Sequence, residues 1–256
     1  MTSYVPTPDE NLTSIGVPWP TTVMNASFQE ITPQGYPVFW WNSQGHMQPA
    51  ESLDWWDAIF IYPGTGLVWD WDHINSVAAD GNDFLVSFRH TNAIYLIRRS
   101  DGSVEWKLGG TPTPQSLKII GDPDAATDFG GQHDARVLPD GTISVHDNGT
   151  GRGRPPRVLR FRIDTQARTA TLIQEITDPD ITSSPCCGSA RLLPGGDWVV
   201  DWGGTGRVEE LTATSQPVYR IDFAAPIFSY RAVPILPGRL NESTLIADMD
   251  EMYPRG

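Results

Sequence analysis

Residues 133–149 read HDARVLPDGTISVHDNG. Two short β-type runs flank a Pro-Asp-Gly turn, which is the pattern of a tight hairpin. RVLRFRID (157–164) and ARTATLIQEI (167–176) then complete four strands joined by turns. The same order stands upstream as HINSVAADG (73–81), DFLVSFRH, NAIYLIRR and SVEWKLGG, ending at Gly110. It returns downstream as GSARLLPGG (188–196), DWVVDWGG, GRVEELTA and QPVYRID, ending at Asp222. From the first residue of each copy to its turn glycine, Gly81, Gly141 or Gly196, is eight residues every time.

A four-stranded antiparallel unit repeating at this spacing, with almost no helical periodicity, predicts an all-β fold built from β-propeller blades. Such a unit cannot bury both faces alone, so neighbouring units must stack around a common axis. The ends of the chain are less regular. Residues 24–41 read as the two outer strands of a blade and 228–236 as a single strand, giving three full blades with partial blades at each end.

The register also singles out residues for chemistry. His73 and His133 open the first strand of successive copies, where the third copy has Gly188. Histidine at that position is therefore not required by the scaffold. Arg89 follows Gly81 by eight residues, where the other copies carry Gly149 and Gly204. Strand alternation puts Asn75 on the same side as His73. Two imidazoles, a guanidinium fork and an amide suit transfer of a tetrahedral anionic group: one imidazole as nucleophile, the second handling the proton. His46 reads as a loop residue, His90 as facing away from Arg89 in a packing role, and His146 as a core or supporting histidine.

Composition narrows the partners. A net charge of −13, from 31 acidic and 18 basic residues, opposes binding to nucleic acid or anionic lipid. The one basic cluster, GRGRPPR (151–157), reads as a solvated turn. The adjacent pair Cys186-Cys187 fits disulfide geometry poorly and reads as redox-neutral, and no Cys/His spacing suggests a zinc site. No GxGxxG, GKS/T or HExxH arrangement points to a nucleotide or zinc enzyme. No apolar run reaches the length of a membrane span, and the N-terminus carries no signal-peptide pattern.

DHINSV (72–77), VSFRHTNAIYLI (86–97), WKLGG (106–110) and GGQHDARVLPDGTISVHDNG (130–149) together resemble the arylsulfotransferase (arylsulfate sulfotransferase) family of β-propeller enzymes. The ordered set H-x-N, S-x-R-x-[TQ] and Q-H-[DT]-A is specific, and the likeness extends over about residues 10–235. The resemblance implies a six-bladed propeller whose central channel moves a sulfuryl group from a phenolic sulfate ester to another phenol. The route is ping-pong through a sulfohistidine, with no nucleotide sulfate donor and no other cofactor. Carried over by motif, His133 is the nucleophile and Arg89 binds the sulfuryl oxygens. His73 and Asn75 contact the sulfate, with His73 also assisting proton transfer.

Family members usually have a further site histidine upstream, which the surroundings of His46 do not match. We therefore read residues 1–256 as a single propeller domain lacking the family's N-terminal blades, with repeats at about 73–110, 133–176 and 188–223. The implied partners are an aryl sulfate donor and a phenolic acceptor, with homo-oligomerisation open and an extracytoplasmic location favoured. The competing expectation is a non-catalytic propeller that binds an anionic or aromatic ligand, or a protein, at the same rim.

Overall fold

The computed structural model describes residues 1–17, 21–124, 129–236, 238 and 240–252. Three four-stranded antiparallel meanders form its centre. The first comprises β6 (Ile74–Asp80), β7 (Asp83–Phe88), β8 (Ala93–Ile97) and β9 (Val104–Gly109), in that spatial order. The second comprises β11 (His133–Val137), β12 (Ile143–Asp147), β13 (Arg157–Asp164) and β14 (Thr169–Ile176). A short strand, β10 (Lys118–Ile120), runs parallel to β14 at its outer edge. The third comprises β15 (Ser189–Leu192), β16 (Trp198–Asp201), β17 (Arg207–Leu211) and β18 (Pro217–Asp222).

Period-two alternation lets the first two blades bury both faces. Along β7 and β8, Phe84, Val86, Phe88, Ala93, Tyr95 and Ile97 enter one core, and Leu85, Ile94 and Leu96 enter the next. On the far side of that second core lie Ile143, Val145, Leu159 and Phe161 from β12 and β13. Val158 and Ile176 instead pack against Trp198, Val200 and Trp202 of the following blade. Each such side chain contributes about 1.5–3 kcal/mol on burial. Stacking of neighbours therefore holds the array together.

The N-terminal region is more than the two outer strands expected. It forms a five-stranded sheet from β1 (Thr2–Glu10), β2 (Thr21–Ile31), β3 (Pro37–Asn42), β4 (Ile59–Tyr62) and β5 (Gly66–Asp70). Strands β2 and β5 pair parallel, so this sheet is not a meander. Its Phe28 and Trp41 close the core over β7 and β8. The described residues thus form four sheets, where the resemblance implied six blades.

The strand expected at 228–236 does not form. Pro226 and Pro234 offer no N–H to a ladder, and the intervening residues bond to inner strands instead. Gly188 N–H donates to the Tyr230 carbonyl at 3.0 Å, and Ala232 exchanges two hydrogen bonds with the Ser189 hydroxyl, each at 3.1 Å. Arg231 donates to the Asn75 carbonyl at 3.0 Å. Helix α1 (Glu242–Met252) follows and buries none of its residues. Among the described residues no helix is long and apolar enough to cross a membrane.

Candidate functional site

The inner strands β6, β11 and β15 lie side by side, and the residues singled out by register gather where they begin. His73 immediately precedes β6, with φ at +50°. Its backbone N–H is held by the Asp72 carboxylate at 2.8 Å, and its ring Nδ1 by Asp70 Oδ2. With Nδ1 engaged by Asp70, Nε2 is the nitrogen left to carry or release a proton. Asp70 is buried and ends β5, so the N-terminal sheet supplies the residue that orients His73.

Arg89 opens a short 3₁₀ turn, Arg89–Thr91, that ends at left-handed Asn92. Backbone bonds from Arg89 and His90 to the His73 and Asp72 carbonyls, at 2.9 and 3.1 Å, pin this turn against the start of β6. The turn also explains His90. On a continuing strand it would face away from Arg89, but here its Nε2 accepts from Arg89 Nη1 at 2.9 Å and its Nδ1 donates to the Asp70 carbonyl. Its ring is stacked between Trp55, at 4.7 Å, and His73, at 4.6 Å. Burial, and then the neighbouring His73, push the His90 pKa down to about 3, so it serves as a neutral acceptor.

Arg89 itself lies with its guanidinium 4.1 Å over Trp55 and donates from Nη2 to the Pro185 carbonyl at 2.9 Å. Among the described residues no carboxylate lies within ion-pair distance of it, and its Nε is buried without a partner. Desolvation accordingly lowers its pKa. A guanidinium partly withdrawn from water without a carboxylate partner is costly unless an anion arrives.

His133 begins β11 and is 2% exposed. Its Nδ1 lies 2.9 Å from the Gly131 carbonyl. The Asn148 amide, 3.1 Å from the same nitrogen, already directs its two hydrogens to the Gly131 and Cys187 carbonyls, at 2.8 and 3.0 Å. The His133 Nδ1 is therefore the protonated one, and Nε2 carries the lone pair. Burial holds its pKa well below the usual histidine value, with Arg89, His146 and His73 adding repulsion. Gly131 adopts φ +60° between Thr150 and Arg89, so its carbonyl can turn toward His133 while its Cα stays beside Nε of Arg89. The Tyr230 ring meets His133 edge-on at 5.9 Å.

Asn75 departs from the alternation argument. The ladder shifts register between Ile74 and Ser76, a β-bulge that takes Asn75 out of step with His73. Its Nδ2 donates to the Gln132 carbonyl at 2.7 Å, and its Oδ1 accepts the Asp134 N–H at 3.3 Å. Asn75 thereby straps the strand that carries His133. Gln132 does the same from the other side, donating to Ser87 Oγ and to the Phe88 and Ala93 carbonyls at 2.9–3.1 Å.

Several surrounding residues also differ from their sequence reading. GRGRPPR is not a solvated turn: Arg157 is 2% exposed and pairs with Asp122 at 2.8 Å, while Arg154 pairs with Asp147 at 2.5 Å. Those acids lie on other elements and could not be seen in the local run. His146 is fully buried against Trp202, with neither ring nitrogen partnered among the described residues. His46 is exposed and rests on Trp41. Asp70, His73 and His90 bring one potential metal-ligand atom each within 4.8 Å of one another, though all three already hydrogen-bond within the group. Clefts of ≈350 and ≈460 Å³ flank the site, one lined by Trp55, Asn92 and Thr150 and the other by Asn148, Ser184 and Pro185. A larger apolar cleft of ≈550 Å³ lies on the N-terminal sheet and contains none of these groups.

Comparison with known proteins gives the family of the chain. The chain is 27% identical over 150 residues to the arylsulfate sulfotransferase AssT of Escherichia coli O6:H1 (strain CFT073), covering 46% of this chain and 24% of that protein. The chain thus spans about a quarter of that relative's length. Among solved structures it is similar to a protein of unknown function from Bacteroides caccae (19% identity, TM-score 0.38, 59% of this chain and 46% of that one). It is also similar to virginiamycin B lyase from Staphylococcus aureus (13% identity, TM-score 0.35, 60% and 57%). Likenesses of that size carry no functional argument. The family described as arylsulfotransferase (ASST) matches residues 1–224, most of the chain and the part that holds His73, Asn75, Arg89 and His133, and the chain belongs to that family.

Proposed function

We propose that this chain transfers a sulfuryl group from a phenolic sulfate ester to a phenolic acceptor, with His133 as the nucleophile. The observation that carries this reading is Arg89, a desolvated guanidinium with no carboxylate partner among the described residues, set beside Gly131 and His133. In the first half-reaction the lone pair on His133 Nε2 attacks sulfur. The N–S bond forms as the S–O bond to the aryl group breaks. Negative charge spread over the three sulfuryl oxygens falls to Arg89, whose fork suits a tetrahedral oxyanion.

The departing phenolate takes a proton from protonated His73, whose imidazolium the Asp70 carboxylate stabilises. In the second half-reaction neutral His73 removes the proton of the acceptor phenol. The acceptor oxygen attacks sulfur and the N–S bond breaks, returning both histidines to their starting states. Depression of the His133 pKa keeps this nucleophile neutral at ordinary pH. Asn75 contributes by strapping the His133 strand as well as by its place beside the sulfate. An extracytoplasmic setting is part of the same proposal.

The test is incubation with p-nitrophenyl sulfate and phenol. Nitrophenol release should accompany a mass gain of one SO3 unit on the peptide containing His133, visible when the acceptor is withheld. Turnover that persisted in His133→Ala would sink the assignment. A folded chain that bound the ester without turning it over would favour a ligand-binding propeller instead.

A further inference from the structure

Residues 184–188, Ser-Pro-Cys-Cys-Gly, form the turn that leads into β15. The Sγ atoms of Cys186 and Cys187 lie 2.8 Å apart, and both thiols are free. Cys186 is partly exposed, whereas Cys187 is buried and sits at φ +68°, an uncommon conformation for a residue with a side chain. The same turn reaches both halves of the candidate site. The Pro185 carbonyl accepts from Arg89 at 2.9 Å, and the Cys187 carbonyl accepts from Asn148, beside His133, at 3.0 Å. The Cys186 carbonyl accepts the Gly204 N–H at 3.0 Å, and a Cβ on Gly203 would lie 2.1 Å from it. The two glycines of DWGG therefore make room for the turn.

We propose that Cys186 and Cys187 form a reversible dithiol–disulfide couple, and that closing the disulfide displaces the carbonyls that hold Arg89 and Asn148. The effect on catalysis rests on the sulfuryl-transfer reading, but the couple itself does not. Adjacent Cα atoms across a trans peptide stand about 3.8 Å apart, short of the ~4.4–6.8 Å that an unstrained disulfide spans. Closing the ring must therefore twist the Cys186–Cys187 peptide and the carbonyls on either side of it. Strain of that kind also makes the bond easy to reduce, as reversible couples require.

The oxidant is a low-molecular-weight disulfide. The Cys186 thiolate attacks one of its sulfurs, forming a mixed disulfide and releasing one thiol. Cys187 then attacks the Cys186 sulfur, loses its proton and releases the second thiol. Burial, followed by the neighbouring sulfur, pushes the Cys187 thiol up to about 12, so the more exposed Cys186 attacks first and Cys187 must give up its proton as it closes the ring.

The full chain is equilibrated in mixtures of oxidised and reduced glutathione, quenched with iodoacetamide and digested. An intramolecular Cys186–Cys187 disulfide, formed in oxidising mixtures and lost in reducing ones, is expected; its absence even at strong oxidation overturns the couple. Amide exchange at Gly204 should speed up on oxidation. Turnover of p-nitrophenyl sulfate should fall up to about 100-fold, as expected when catalytic groups are displaced by an ångström or so, and recover with dithiothreitol. Cys186→Ser should show no redox response. A disulfide that formed with Gly204 exchange and turnover both unchanged would overturn the coupling. Absence of turnover in both redox states would instead sink the sulfuryl-transfer reading, and the mass and exchange measurements would still decide the couple.

Discussion

Replacing Arg89 by Met separates a binding role from a structural one. In the resting structure the guanidinium rests on Trp55 at 4.1 Å and makes hydrogen bonds of 2.9 Å to His90 and Pro185. These contacts contribute a few kcal/mol, about 1 for the cation–π contact and about 1–3 for each bond. Against them stands the cost of holding a cation out of water with no counter-charge, also about several kcal/mol. The two contributions largely offset each other, so Arg89→Met should unfold in urea within about 2 kcal/mol of the parent.

The transition state has no such cancellation. Two charge-assisted contacts to sulfuryl oxygens, at about 1.5–3 kcal/mol each, amount to about 3–6 kcal/mol, or a loss of about 10²–10⁴-fold in kcat/KM. Arg89→Lys keeps the charge but loses the fork, and should fall between the two. The assay is steady-state release of nitrophenol from p-nitrophenyl sulfate with phenol present, paired with urea unfolding of each variant. A kcat/KM for Arg89→Met within threefold of the parent would refute the argument. So would a loss of activity matched by a stability loss of several kcal/mol, which would mark Arg89 as structural.

Three further outcomes follow from the same geometry. Asp70→Asn leaves His73 in place without the carboxylate that stabilises its imidazolium, and should lower turnover about 10–100-fold, most strongly for donors whose leaving phenol is poorly acidic; an equal loss for all donors would contradict the proton-transfer role. Gln132→Ala leaves the Ala93 carbonyl without its side-chain donor, while Phe88 keeps the Thr91 hydroxyl, and should cost about 1–2 kcal/mol in urea unfolding, with activity falling as the His133 strand loosens. His146 has its pKa lowered by burial from 6.5 to about 4, so the folded state takes up its proton less readily than the unfolded chain. Its contribution to stability is complete above pH 6.5 and is lost as pH falls through about 4, by about 3 kcal/mol at pH 4; His146→Leu should unfold less steeply with acid over that window, and an unchanged slope would contradict this.

The blades were legible because alternation and turn chemistry are local. The strands after His73, His133 and Gly188 lie where their Asp-Gly and Gly-Gly turns place them, and each inner strand begins at the head of its copy. What failed was set by distant partners. GRGRPPR reads as exposed until Asp122 and Asp147 arrive from other elements. His90 reads as turned away from Arg89 until the 3₁₀ turn after β7 lays its ring on His73 and its Nε2 within hydrogen-bond reach of the guanidinium. Trp55 and Asp70 carried no signal at all, since the parallel pairing of β2 with β5 that brings the N-terminal sheet to the site has no local signature.

These failures have a common physical cause, and it bears on how the site is built. Gln132 and Asn75 tie the His133 strand to the preceding blade, Asp70 ties His73 to the N-terminal sheet, and Pro185 and Cys187 tie Arg89 and Asn148 to the following blade. Each chemically interesting side chain is thus oriented by a neighbour from a different sheet, so its position depends on how the sheets stack and not only on its own strand. In the QH pair, Gln132 is as buried as His133 and its side chain donates to Ser87, Phe88 and Ala93 of the adjacent blade, so the motif joins the proposed nucleophile to a residue that sets where it stands.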